Sequence, residues 1–208
     1  MKSYLTVKNQ VETVFTINRS RFICNLKTIE NEEEAEAFIK EVSAKYSDST
    51  HNCFAYILNE EGSVQKMSDA GEPQGTAGQP MLEVLKKNNL TKVCAVVSRY
   101  FGGIKLGAGG LVGAYTRAVA SAVESAGTAL SVFSAAYLVV LPYALLGRFT
   151  QGLTSILAEV YNTVYLDEVE ITVFVPEQNE DKLVSFYKEI TNGNNKIGLI
   201  KKEYKLYN

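Results

Sequence analysis

Phe22 to Leu26 has the two-residue apolar rhythm of a strand. Asn31 with Glu34 then forms a capping box, which predicts a helix to about Tyr46. Cys53 to Leu58 and Val64 to Met67 predict a hairpin turning at Glu60-Glu61-Gly62. A loop from Ser68 to Pro80 holds three glycines and two prolines in thirteen residues, and a helix from Met81 to about Asn88 follows. Val93 to Val97 is an unbroken apolar run, the pattern of a buried strand, and it ends at Arg99. Five glycines lie between Gly102 and Gly110. A small-residue helical pattern then runs from Leu111 to about Ala126, with Gly127 placed to terminate it.

The second half has a different rhythm. Strands are predicted at Tyr137–Leu141, Thr163–Leu166, Ile171–Val175 and Ile197–Tyr207, with helices at Leu145–Val160 and Asp181–Ile190. That β-α-β-β-α-β order is the ferredoxin-like split βαβ plan. The boundary between the halves falls near Leu130–Ala135, which gives domains 1–133 and 134–208. No internal repeat or low-complexity stretch interrupts either part.

Candidate chemistry centres on the glycines. A strand, a glycine-rich turn and a helix together bring backbone N–H groups close to an anion. Arg99 and Lys105 are placed to assist the amides of Gly107, Gly109 and Gly110. The segment is not a Walker A motif, because Leu106 follows Lys105. It is not a dinucleotide fingerprint either, since Val112 takes the third glycine position. Tight turns and close helix packing are the competing explanation of the glycines. Tyr100 and Phe101 fit a base-stacking surface or a packed strand end.

Two further groups stand apart from the glycines. Asp69 and Glu72 could serve as a cation or proton-transfer pair, or bond backbone amides and fix a turn. His51-Asn52-Cys53 opens a strand, so His51 and Cys53 share one face. A Cys–His nucleophile pair is one reading of this, and a cysteine packed as a small hydrophobe is the other.

Composition narrows the classes. At 208 residues, 46% hydrophobic and 21% charged, the chain suits one large or two small globular domains. No apolar run reaches the ~18 residues that span a bilayer, and Met1-Lys2-Ser3-Tyr4 lacks a signal-peptide core, so a cytoplasmic location is expected. Cys24, Cys53 and Cys94 are odd in number and widely spaced, against a disulfide framework or zinc cluster. His51, the one histidine, rules out a site needing two imidazoles; no metal or cofactor is expected. A net charge of −2 gives no global pull toward nucleic acid, and no DNA partner is expected. Between Glu83 and Glu124, however, there is no acid, while Lys86, Lys87, Lys92, Arg99, Lys105 and Arg117 fall inside. A weaker basic field gathers Lys196, Lys201, Lys202 and Lys205.

Three motifs carry a family resemblance. They are His51-Asn-Cys-Phe-Ala-Tyr56; Ser68-Asp-Ala-Gly-Glu-Pro73 with Gly75-Thr-Ala-Gly78 and Pro80-Met-Leu82; and Arg99-Tyr-Phe-Gly-Gly-Ile-Lys-Leu-Gly107 with Gly109-Gly-Leu111. Through them the chain resembles the IMPACT/YigZ family over most of residues 15–125. The second half looks like the C-terminal domain that bacterial members add. The family-motif loop residues are then His51, Asn52, Cys53, Ser68, Asp69 and Glu72. Two positions depart from the family pattern: Ala70 replaces a usual second Asp, and Gly113 a common Arg.

The resemblance implies an α+β protein. Its N-terminal domain would be similar to the second domain of a small-subunit ribosomal protein, and its C-terminal domain would be ferredoxin-like. Eukaryotic relatives regulate translation through an additional domain that is missing here, so that activity does not transfer. The expectation is a non-catalytic translation regulator binding RNA or the ribosome through Arg99, Tyr100, Lys105, Gly107, Gly109 and Gly110. Two alternatives remain: an enzyme acting on a phosphorylated or nucleotide ligand, and a protein-interaction module.

Overall fold

The computed structural model describes residues 3–59 and 63–207, so the expected turn at Glu60–Gly62 lies outside the described residues. The chain divides into two compact units, Ser3–Leu130 and Ser131–Lys205.

In the first unit the strands are β1 (Tyr4–Val7), β2 (Val11–Ile17), β3 (Ser20–Thr28), β4 (His51–Ile57), β5 (Gln65–Ser68) and β6 (Val93–Tyr100). Its helices are α1 (Glu32–Lys45), α2 (Gly78–Lys87) and α3 (Gly107–Ala126). The main sheet has the order β2-β3-β6-β4-β5, and every neighbouring pair is antiparallel. The apolar run of β6 occupies the centre of that sheet, with both of its faces covered. Cys53, Ala55, Ala95 and Val97 face Met81, Leu85, Tyr115 and Val119 of α2 and α3. Tyr56, Cys94 and Val96 face Phe38 and Val42 of α1 on the other side. A strand buried on both faces has no polar positions to alternate, which explains the unbroken run.

Caps and turns fix the element ends. Asn31 Oδ1 accepts from Glu34 N–H at 2.8 Å, while Glu34 Oε2 accepts from Glu30 N–H at 2.9 Å, so α1 is capped from both directions. The β2–β3 hairpin closes through Asn18 and Arg19, both with positive φ, the arrangement that matches strand twist in a two-residue turn. Gly102 lies against that turn: a Cβ there would sit 2.0 Å from the Arg19 carbonyl carbon. Helix α3 begins at Gly107, not at Leu111, so the last three glycines form its first turn. Gly127 closes it at φ +65°, with its N–H on Val123 O.

The second unit contains most of β7 (Thr128–Leu141), then α4 (Leu146–Leu153), β8 (Glu159–Tyr165), β9 (Val169–Pro176), α5 (Glu180–Ile190) and β10 (Ile197–Tyr207). Strand β9 lies between β7 and β8, antiparallel to both, and β10 pairs with β7. Val139, Ile171 and Val173 pack against Phe149, Leu153, Leu183 and Tyr187 of the two helices. Gly152 is what lets those helices meet, since a Cβ there would come within 2.1 Å of the Phe186 ring. The predicted helix to Val160 stops early. Leu157 takes a left-handed φ of +56°, and the residues beyond it pair with β9.

Candidate functional site

The register of the first sheet begins the site. On β6, Arg99 lies opposite His51 of β4 on one side and Phe22 of β3 on the other, so the three share one face. The loop between β5 and α2 then carries Glu72 over this face. Arg99 Nη1 donates to Glu72 Oε1 at 2.7 Å, and the Tyr115 hydroxyl of α3 donates to the same oxygen at 2.8 Å. Only 2% of the Glu72 side chain and 6% of the Arg99 side chain are exposed. A buried pair of this kind holds only when both members remain, because either charge alone is strongly disfavoured in the interior.

His51 is held from its far side. Ala70 O, which can only accept, lies 2.9 Å from Nδ1, so Nδ1 carries a proton and the neutral ring leaves Nε2 as an acceptor. Nε2 stands 3.9 Å from Glu72 Oε2, too far for a direct hydrogen bond. Both groups line a cavity of about 440 Å³ with Arg99, Phe101, Lys105 and the first turn of α3 at Gly107 and Ala108. That first turn has no side-chain cap. Lys105 is exposed at the cavity and makes no ion pair among the described residues. Arg99 Nε is buried without a hydrogen-bond partner. Phe101 is 46% exposed, with the Arg99 guanidinium 5.6 Å from its ring centre.

The remaining sequence candidates have structural duties. Asp69 accepts from the backbone N–H groups of Gly75, Ala77 and Gly78 at 2.8 to 3.0 Å, tying the loop to the start of α2. Partial burial works against its ionised form, but the three amide bonds outweigh it and hold the carboxyl below its ordinary value. Ser68 Oγ accepts from Ala70 N–H within the same loop. Asn52 bonds Ser98 Oγ and Tyr46 O. Cys53 lies against Asp69 O and the Tyr115 hydroxyl, and burial pushes its thiol up to about 12. A thiol so disfavoured as thiolate is no nucleophile. His51 and Cys53 share a face, but each is bonded elsewhere and they form no catalytic pair.

The predicted anion-binding set is therefore divided. Lys105 and Gly107 reach the cavity; Arg99 reaches it from below, buried rather than displayed. Tyr100 is absent from the cavity lining: its hydroxyl donates to Asp48 and Arg21 covers its ring. Gly109 and Gly110 lie in the first turn of α3 without lining the cavity. Tyr115 is a site residue that sequence reasoning missed; its spacing of four from Leu111 on the buried helix face was the available signal. The C-terminal lysines are all engaged: Lys196 with Glu168, Lys201 with Glu203, Lys202 with Glu177 and Glu180, and Lys205 with Glu159. Among the described residues no three His, Cys, Asp or Glu side chains gather as metal ligands. No helix there is long and apolar enough to cross a membrane.

Residues 18–123 match the family model of the Impact N-terminal domain, and residues 139–194 match a domain of unknown function (DUF1949). Those matches define a two-domain α+β protein with an Impact-type first domain. IMPACT family member YvyE of Bacillus subtilis is 40% identical over 200 residues, 95% of this chain and 91% of that protein. IMPACT family member YigZ of Escherichia coli is 42% identical over 126 residues, 60% of this chain and 62% of that one. A crystal structure of a hypothetical protein covers 96% of this chain and 97% of its own, with a TM-score of 0.62 at 31% identity. The chain belongs to the IMPACT family.

Proposed function

We propose that this chain is a regulatory member of the IMPACT family, and that its first unit binds a compact anionic ligand in the cavity beside β6. The observation that carries this reading is the concentration of unsatisfied donors around one open cavity. Among the described residues Arg99 Nε lacks a partner, Lys105 lines the cavity without an ion pair, and the first turn of α3 has no side-chain cap. A helix N-terminus with adjacent cations favours phosphate or carboxylate. A volume of about 440 Å³ falls in the range of small-molecule sites.

The test is thermal stability of the full chain in phosphate, phosphorylated metabolites and matched neutral compounds, with Lys105→Ala beside wild type. A ligand binding only the native state raises stability with concentration. Anions should raise the melting temperature of wild type and raise that of Lys105→Ala much less. Equal behaviour of the two proteins would sink this reading.

RNA or the ribosome is the second reading. It is favoured by the half-exposed Phe101 and Ile104 beside Lys105, an aromatic and apolar surface next to a cation. Co-sedimentation with ribosomes across a salt series tests it, since phosphate-dominated binding falls steeply with salt. Saturable binding lost in Lys105→Ala supports that surface; no binding at low salt eliminates it. For the architecture we adopt domains 1–133 and 134–208. The β-α-β-β-α-β order, with β9 between β7 and β8, supports a ferredoxin-like plan for the second domain. The likeness of the first to a ribosomal-protein domain rests on the family resemblance, and a cytoplasmic location is adopted on the sequence alone.

A further inference from the structure

We propose that the ligand of this cavity is a ribonucleoside 5′-phosphate, recognised through its ribose diol by His51 and Glu72. This rests on the reading of the cavity as an anion site and specifies what else the anion carries. The argument begins with the acceptors. His51 Nδ1 is committed to Ala70 O, so the neutral ring offers Nε2 as an acceptor. Glu72 Oε1 is committed to Arg99 and Tyr115, whereas Oε2 makes no hydrogen bond among the described residues. Two lone acceptors thus stand 3.9 Å apart on the cavity wall. While the ring is neutral, neither can satisfy the other. One hydroxyl carries a single proton and can satisfy only one of them. A water, with two protons, or two adjacent hydroxyls that displace it, satisfy both, and an acidic side chain receiving a ribose hydroxyl is a recurrent nucleotide contact.

The rest of the lining suits the rest of such a molecule. Lys105 and the N–H groups at Gly107 and Ala108 receive the phosphate. Arg99 adds a fixed positive charge beneath the ligand, balanced by Glu72, so the diol end of the cavity is not strongly anionic. Phe101, lining the cavity and 46% exposed, offers a ring face to a base. Stacking on one aromatic reads no particular base, so all four ribonucleotides are expected to bind. Ala70 takes part only through its carbonyl, so the family's usual Asp is not needed for this recognition.

Titration calorimetry on the full chain separates the parts. AMP and UMP should bind; dAMP, which lacks the 2′-hydroxyl, and adenosine, which lacks the phosphate, should each bind at least tenfold more weakly. Ribose 5-phosphate should also bind more weakly than AMP. Lys105→Ala, at an exposed position, should weaken AMP while leaving adenosine unchanged. His51→Ala should weaken AMP binding at least severalfold, by removing one of the two diol acceptors. A short RNA with a free 3′-terminal diol provides the second arm. If it binds more tightly than AMP and loses that advantage with a 3′-deoxy end, the ribonucleotide is a chain terminus. If AMP binds more tightly, it is a free metabolite; recognition of the diol stands either way. Equal affinities for AMP and dAMP in wild type would overturn the diol assignment. If inorganic phosphate and Lys105 still matter in that case, the anion reading survives alone. If no phosphate compound binds, both readings fall.

Discussion

Two basic fields looked alike along the chain, and their surroundings make them opposites. Around the glycines, the acid-free stretch holds Arg99, but the fold supplies Glu72 from another loop and buries the pair. On β10 and at the residue before it, four lysines each meet carboxylates at the surface. Arg99 of the first field is withdrawn from the surface beside a cavity that Lys105 still reaches, whereas the second field has most of its net charge offset by carboxylates. Counting charges per segment cannot separate these cases, because the deciding partner of Arg99 is 27 residues away. Burial also inverts the energetic weight. A buried pair is costly to break from one side, whereas a surface pair contributes little.

The sharpest test of that contrast is Glu72→Ala. It leaves the Arg99 guanidinium buried without its carboxylate and removes the acceptor of the Tyr115 hydroxyl. A loss of about 3–5 kcal/mol in urea unfolding at neutral pH is expected. A loss below about 1 kcal/mol would mean that water reaches Arg99 and that the field is a displayed one after all.

Asp69→Ala is next in size. It removes the acceptor of three backbone amides at the start of α2, and about 1–2 kcal/mol should be lost, as for a strong helix cap. The sign with pH follows from the depressed carboxyl. Its contribution is complete above the ordinary Asp value of 3.8 and is lost as pH falls through the lower folded value. Wild type should therefore lose stability in acid below about pH 4 more steeply than Asp69→Asn, as followed by circular dichroism.

How far the pattern of residues foretold the molecule depends on what sets each feature. The α1 cap and β6 follow from local signals, Asn31 with Glu34 and the unbroken apolar run Val93–Val97, and both are observed. The start of α3 does not. Gly107, Gly109 and Gly110 argue against helix by propensity, yet packing of Leu111 and Tyr115 carries the helix back over them. Strands β1 and β2 were absent from the expectation; β2 is an edge strand whose half-buried residues give a weak contrast. At the site, His51, Glu72, Arg99 and Lys105 were all legible as chemistry-bearing residues. Their convergence was not, since it depends on the His51–Arg99 register and on a loop folded back over it.

Gly113 measures what a family difference costs away from the cavity. It is exposed in the middle of α3, with open space around the position of a Cβ. Gly113→Ala should stabilise the fold by about 0.5–1 kcal/mol through helix propensity alone. AMP binding should be unaffected, because the residue does not line the cavity. A change in binding would extend the ligand surface along the helix beyond its first turn.

The smallest effect belongs to the second field. Lys202 reaches Glu180 at 2.6 Å and Glu177 at 3.2 Å, and those carboxylates hold its proton more firmly than usual. Its surroundings are largely solvent, so screening and side-chain entropy offset most of the attraction. Lys202→Ala should leave the midpoint of urea unfolding nearly unchanged, and added salt should shrink even that small difference. If Lys202→Ala instead abolished ribosome co-sedimentation without altering stability, its carboxylate partners would be exchangeable for phosphate. The contrast with Arg99 would then be one of partner competition rather than burial. If it changes neither, the β10 lysines serve the surface of their own unit, and the search for an anion narrows to the cavity in the first.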